Sequence, residues 1–156
     1  MKSKKLQALI NTYEDLSNKF REIDEPTLNL FSKGWSISLT QIDKVLSDSD
    51  NKVTLSQLSA GFEQGLRETA LMLAELPTEV RTLAIREFNQ VVALHIPNFF
   101  EKTKKQLEKV VSKGVIKTEQ QWYLVRTRMD EIEGKNGCDA EFEYLDKLLM
   151  DFESNV

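Results

Sequence analysis

"LQALINTYEDLSNKFREI", residues 6–23, places Leu6, Leu9, Tyr13, Leu16, Phe20 and Ile23 at successive separations of 3, 4, 3, 4 and 3. An α-helix turns once in about 3.6 residues, so these six side chains fall on one stripe. A strand would alternate apolar and polar residues with period two, and this stretch does not. The same spacing recurs along most of the chain, and it decides the fold class.

"DEPT" at 24–27 ends the first stripe. Pro26 has no amide donor and suits the first turn of a new helix, with Asp24 as the expected cap. Leu28, Phe31, Trp35, Leu39, Ile42 and Leu46 form the second stripe, weakened at "GWSIS" by Gly34, Ser36 and Ser38. After the polar loop "SDSDN" at 47–51, Thr54 and Gln57 have capping-box spacing, and Val53 with Leu58 has that of a hydrophobic staple. Leu55, Leu58, Phe62, Leu66, Leu73 and Leu76 carry a third helix. Pro77 breaks it and opens a fourth, whose face runs through Val80, Ala84, Phe88 and Val91 toward His95.

A fifth helix is expected to start or kink at Pro97, turn Ile96, Phe100, Leu107, Val110 and Val111 inward, and stop at Gly114. Thr118 and Gln121 form another capping-box pair before Trp122, Val125, Met129 and Ile132. A turn at "GKNGCD" leads to Phe142, Leu145, Leu149 and Phe152. These segments predict an all-α fold: a single-domain antiparallel helical bundle of about five to seven helices over residues 1–156, with a C-terminal helical hairpin.

Composition supports this and narrows the function. A chain of 156 residues can bury one sizeable core, and 40% hydrophobic with 29% charged residues suits a globular protein. Six glycines and three prolines favour few, long helices. A net charge of −4 argues against coating nucleic acid or anionic membrane by bulk charge. The lone Cys138 has no disulfide partner within the chain. The opening "MKSKKLQALINTYEDL" lacks the apolar core of a signal peptide, and no window approaches a membrane span, so a cytoplasmic protein is expected.

Several chemistries are poorly served. His95 is the single histidine, and Glu87 lies two helical turns before it, on the same face but beyond direct reach. The pair is a candidate polar site, for which catalysis would need an orienting carboxylate and a nearby nucleophile. The ordinary reading is a histidine that satisfies carbonyls at a helix end before Pro97. One histidine and one cysteine, 43 residues apart, do not make a zinc site, and the paired Glu-x-x-His motifs of di-iron bundles are absent. "SDSDN" fails the EF-hand pattern at Lys52. No phosphate-binding glycine loop and no nucleophile elbow occurs. Cys138 sits in a turn, where an incidental thiol is the ordinary reading. No catalytic residue, metal or cofactor is therefore expected.

Lys102, Lys105, Lys109 and Lys113 recur at intervals of 3, 4 and 4, a candidate anion- or partner-binding stripe that could track phosphates. Glu101 and Glu108 dilute it, and a solvated helix face looks the same. "IKTEQQWYLVRTRMDEIEG" with "FEYLDKLLMDFE" resembles the helical hairpin that precedes the DNA-binding part of some HigA-type antitoxins. The shared features are a Thr-Glu opening, an aromatic-rich helix with Asp-Glu near its end, and a leucine-rich helix ending in aromatic-Glu. The likeness spans about a quarter of the chain, and no residue role is carried over from it.

The favoured expectation is a regulatory, antitoxin-like or adaptor module that binds another protein or itself, with a dimer slightly preferred. The alternatives are an enzyme or small-ligand binder with a pocket near His95, and nucleic-acid binding through the lysine stripe. No membrane partner is expected.

Overall fold

The computed structural model describes residues 3–48, 50 and 52–155. Ser49 and Asn51 of the polar loop lie outside the described residues, as do Met1, Lys2 and Val156. Among the described residues the chain is all-α, with seven helices and no strand. They are α1 (Lys4–Arg21), α2 (Pro26–Ser47), α3 (Leu55–Leu73), α4 (Thr78–His95), α5 (Glu101–Lys113), α6 (Glu119–Ile132) and α7 (Asp139–Ser154). None is long and apolar enough to cross a membrane.

Local chemistry accounts for most boundaries. Ser3 caps α1 by accepting from the Leu6 amide. Pro26 begins α2, but Glu25 rather than Asp24 caps it, its carboxylate accepting from the Leu28 amide at 2.9 Å. The Thr54–Gln57 box is reciprocal, at 2.9 and 3.0 Å. At α6 the box is shifted: Thr118 accepts from the Gln121 amide, while Gln121 reaches back to the amide of Lys117. Gly114 ends α5 in the left-handed region (φ 70°), donating to the Val110 and Val111 carbonyls.

The chain forms two compact units, Met1–Ala70 with Glu87–Pro97, and Leu71–Arg86 with Asn98–Val156. Two of the boundaries fall inside α3 and α4, so each of these helices contributes to both units. In unit 1, Leu6, Ile10 and Ile42 form a buried cluster packed by Leu39, Leu46, Leu55, Leu58 and Phe62. In unit 2, Val125, Met129 and Ile132 of α6 meet Leu145, Leu148 and Leu149 of α7, joined by Val110 and Ile116. The expected C-terminal hairpin thus shares one apolar cluster.

Candidate functional site

The segment 93–111 departs from expectation in three ways. Helix α4 ends at His95, and α5 begins at Glu101 rather than near Pro97. Phe99 is the buried aromatic, with Phe100 only half-buried and edge-on to it. His95 does not cap carbonyls. Its Nε2 is hydrogen-bonded to the carboxylate of Asp15 on α1, and the Ile96 amide serves the Val92 carbonyl instead.

Glu87 turns to α1 as well, with Oε2 3.6 Å from Lys19 Nζ. His95 and Glu87 are therefore two separate ties between α4 and α1. Asp15 supplies the orienting carboxylate that a general base needs, but among the described residues no hydroxyl or thiol meets the ring. The described residues also bring together no group of three or more side chains able to hold a metal ion.

Two buried polar contacts matter more to each unit. In unit 1, Tyr13 donates to the Phe62 carbonyl at 2.6 Å, and its ring meets Trp35 and Phe62 at 5.4 and 5.2 Å between centroids. A β-carbon on Gly65 would sit 2.6 Å from the Tyr13 hydroxyl, so α3 carries glycine where the phenol approaches it. Burial, together with the charge of Glu68, pushes the Tyr13 phenol above its ordinary value.

In unit 2, Arg81 Nε bonds Asp130 Oδ2 at 2.8 Å, with side chains 10% and 3% exposed. Arg126 stands 3.9 Å from the same oxygen. Burial raises the Asp130 carboxyl above the usual carboxylate range, and both arginines pull it back. Tyr123 donates to Glu75 at 3.0 Å, and Arg86 to the Glu133 carbonyl at 2.5 Å, so α6 and the residue after it are tied to the α3–α4 turn and the middle of α4. Sequence reasoning missed Asp130 and Arg81 because each occupies a position where charge is usually solvated.

Among the described residues, the outer surfaces of α5 and α2 stand open. On α5, Lys102, Lys105, Lys109 and Lys113 are all exposed, on the side away from Leu107 and Val111, which pack on the core cluster. On α2 only Leu28, Ser32 and Ile42 are buried. Leu30 is 69% and Ile37 51% exposed, two turns apart on its outer face. Lys33 is the only charged residue from Pro26 to Ile42. Beside this face lies a shallow depression of about 530 Å³ lined by Arg21, Asn29, Ser32, Lys33, Ser36 and Ile37. Neither His95 nor Glu87 lines it. The sequence signal that could have exposed this surface was the pairing of an apolar heptad step, Leu30 to Ile37, with near-absence of charge.

No protein-family model, curated protein or solved structure matches the chain.

Proposed function

We propose that the protein works by binding another macromolecule through the outer face of α2. The observation that carries this reading is the exposure of Leu30 and Ile37 on a helix whose surface is otherwise nearly uncharged. Leu30 and Ile37 keep half or more of their surface in water and so forgo a corresponding part of the roughly 1.5–3 kcal/mol that full burial of each would give, and covering them by a partner is favourable. A regulatory or adaptor role follows from a surface of this kind, in the setting of a cytoplasmic protein.

The test is capture of partners by wild type and by Leu30→Asp/Ile37→Asp, with identification by mass spectrometry. Both positions are solvent-facing, so helicity by circular dichroism should be unchanged. The expected result is a partner retained by wild type and lost by the variant. Identical partner sets for the two proteins would overturn the reading.

The α5 lysines support a second reading, nucleic-acid binding, because all four are exposed in one row. Its check is a salt titration of RNA or DNA binding by wild type against Lys105→Glu/Lys109→Glu. Binding that is salt-steep in wild type and absent in the variant would establish it.

A further inference from the structure

The α2 face has a definite chemical preference. Its exposed apolar pair is accompanied by Arg21 at the end of α1 and by Lys33 and Lys44 on α2, all exposed. None of the three cations has an ion-pair partner among the described residues. No carboxylate occurs from Pro26 to Ile42. A surface with an aliphatic centre, lysines in line with it and no carboxylate between Pro26 and Ile42 favours an acidic helix with an apolar anchor.

The chain itself carries such a helix. On α7, Asp139, Glu143, Asp146 and Met150 follow one another at intervals of 4, 3 and 4, so they share a face. That face is opposite the buried Leu145, Leu148 and Leu149, and Met150 on it is 59% exposed. Asp139, Glu143 and Asp146 are exposed and have no ion-pair partner among the described residues. Lys147 is the one cation beside them.

We propose that the α2 face of one copy of this chain docks the acidic face of α7 from a second copy, Met150 against Leu30. In an antiparallel pairing that sets Met150 beside Leu30, Lys33 comes within side-chain reach of Asp146 and Lys44 of Asp139, while Ile37 lies against the aliphatic stem of Glu143. Opposed helix dipoles favour the same orientation. Symmetric pairing of α2 with α2 would oppose lysine to lysine, and α7 with α7 would oppose carboxylate to carboxylate, so each face prefers the other. The α5 lysines offer α7 charge but no exposed aliphatic group for Met150, since Leu107 and Val111 lean on the core cluster of unit 2. A contact of one helix pair is smaller than the roughly 1,200–2,000 Å² of a standard stable interface, so the association is weak and salt-sensitive.

This assignment rests on α2 being the interaction surface, and the experiment separates the two ideas. Sedimentation velocity over a micromolar to submillimolar range follows three proteins: wild type, Lys33→Glu/Lys44→Glu, and Glu143→Lys/Asp146→Lys. Wild type should associate, less so as salt is raised. Each double reversal should lower the association constant about tenfold or more, by placing like charges across the contact. An equal mixture of the two reversals restores opposite charges at both kinds of contact and should recover association. A wild type that stays monomeric throughout overturns self-pairing, as does association indifferent to both reversals. If the chain is monomeric yet Leu30→Asp/Ile37→Asp loses a captured partner, only the identity of the occupant is wrong. If those substitutions alter neither association nor capture, the α2 surface itself is wrong.

Discussion

In each unit a short polar contact joins residues 49 positions apart in sequence, and the two contacts differ in charge. Unit 1 uses a neutral phenol, Tyr13, donating to the Phe62 carbonyl. Unit 2 uses an ion pair, Arg81 with Asp130, almost wholly removed from water. A neutral donor that loses its contact leaves a modest debt of desolvation. A buried charge that loses its partner leaves a large one. Unit 2 is therefore the more brittle toward single substitutions, and unit 1 depends on fit around an aromatic ring.

The largest expected effect follows from removing one half of the ion pair. Arg81→Met should cost about 3–5 kcal/mol in urea unfolding, since Asp130 keeps only the more distant Arg126. Arg81→Met/Asp130→Leu should recover most of that loss, because apolar groups of similar volume replace buried pairs at little cost. The pH dependence has a definite sign. Asp130 is raised by burial in the folded state, so its contribution is full below the ordinary carboxylate value and is lost as pH rises through the folded-state value. Removing Arg81 deletes a lowering influence, so the defect should be deepest near neutral pH and shrink as pH falls. A cost under about 1 kcal/mol at neutral pH would mean that Asp130 reaches water, and the contrast between the units would collapse.

Fit in unit 1 is probed next. Gly65→Ala should cost about 1–3 kcal/mol, the range for overpacking, although alanine is the better helix former. Tyr13→Phe removes the hydroxyl that the new methyl would meet and should cost about 0.5–1.5 kcal/mol alone. The double variant should then cost clearly less than the sum. Strict additivity in chemical denaturation would show that the phenol does not press on Gly65 in solution.

The smallest effect belongs to the residue that looks most catalytic. His95 and Asp15 are 21% and 45% exposed, and pairs in such positions contribute about 0.2–1 kcal/mol. His95→Ala should therefore shift the unfolding midpoint only slightly. A loss above about 2 kcal/mol would make the α4–α1 tie comparable to the Tyr13 contact and would erase its status as peripheral.

Much of this was legible from spacing alone. The stripe of α1 is buried as read, apart from Ile23 beyond its end, and Val125, Met129, Ile132, Leu145 and Leu149 are buried together. Pro26, Gly114 and the Thr54–Gln57 box mark their boundaries because capping and φ restriction act within a few residues. The choice of Phe99 over Phe100 was not legible. Five residues, four of them in turns, separate α4 from α5, and a turn carries no 3.6-residue period from which to count.

By itself, then, the sequence determined the all-α class, a helix count within its range of five to seven, and most of the core stripes, because helix periodicity and capping are local. Only the tertiary structure decided that His95 meets Asp15, that Arg81 and Asp130 are buried as a pair, that Gly65 makes room for Tyr13, and that Leu30 and Ile37 stay in solvent. Each of those facts depends on which helix lies opposite. The facing residues are 80 positions away for His95 and 49 for Arg81, a separation across which spacing along one helix carries no information.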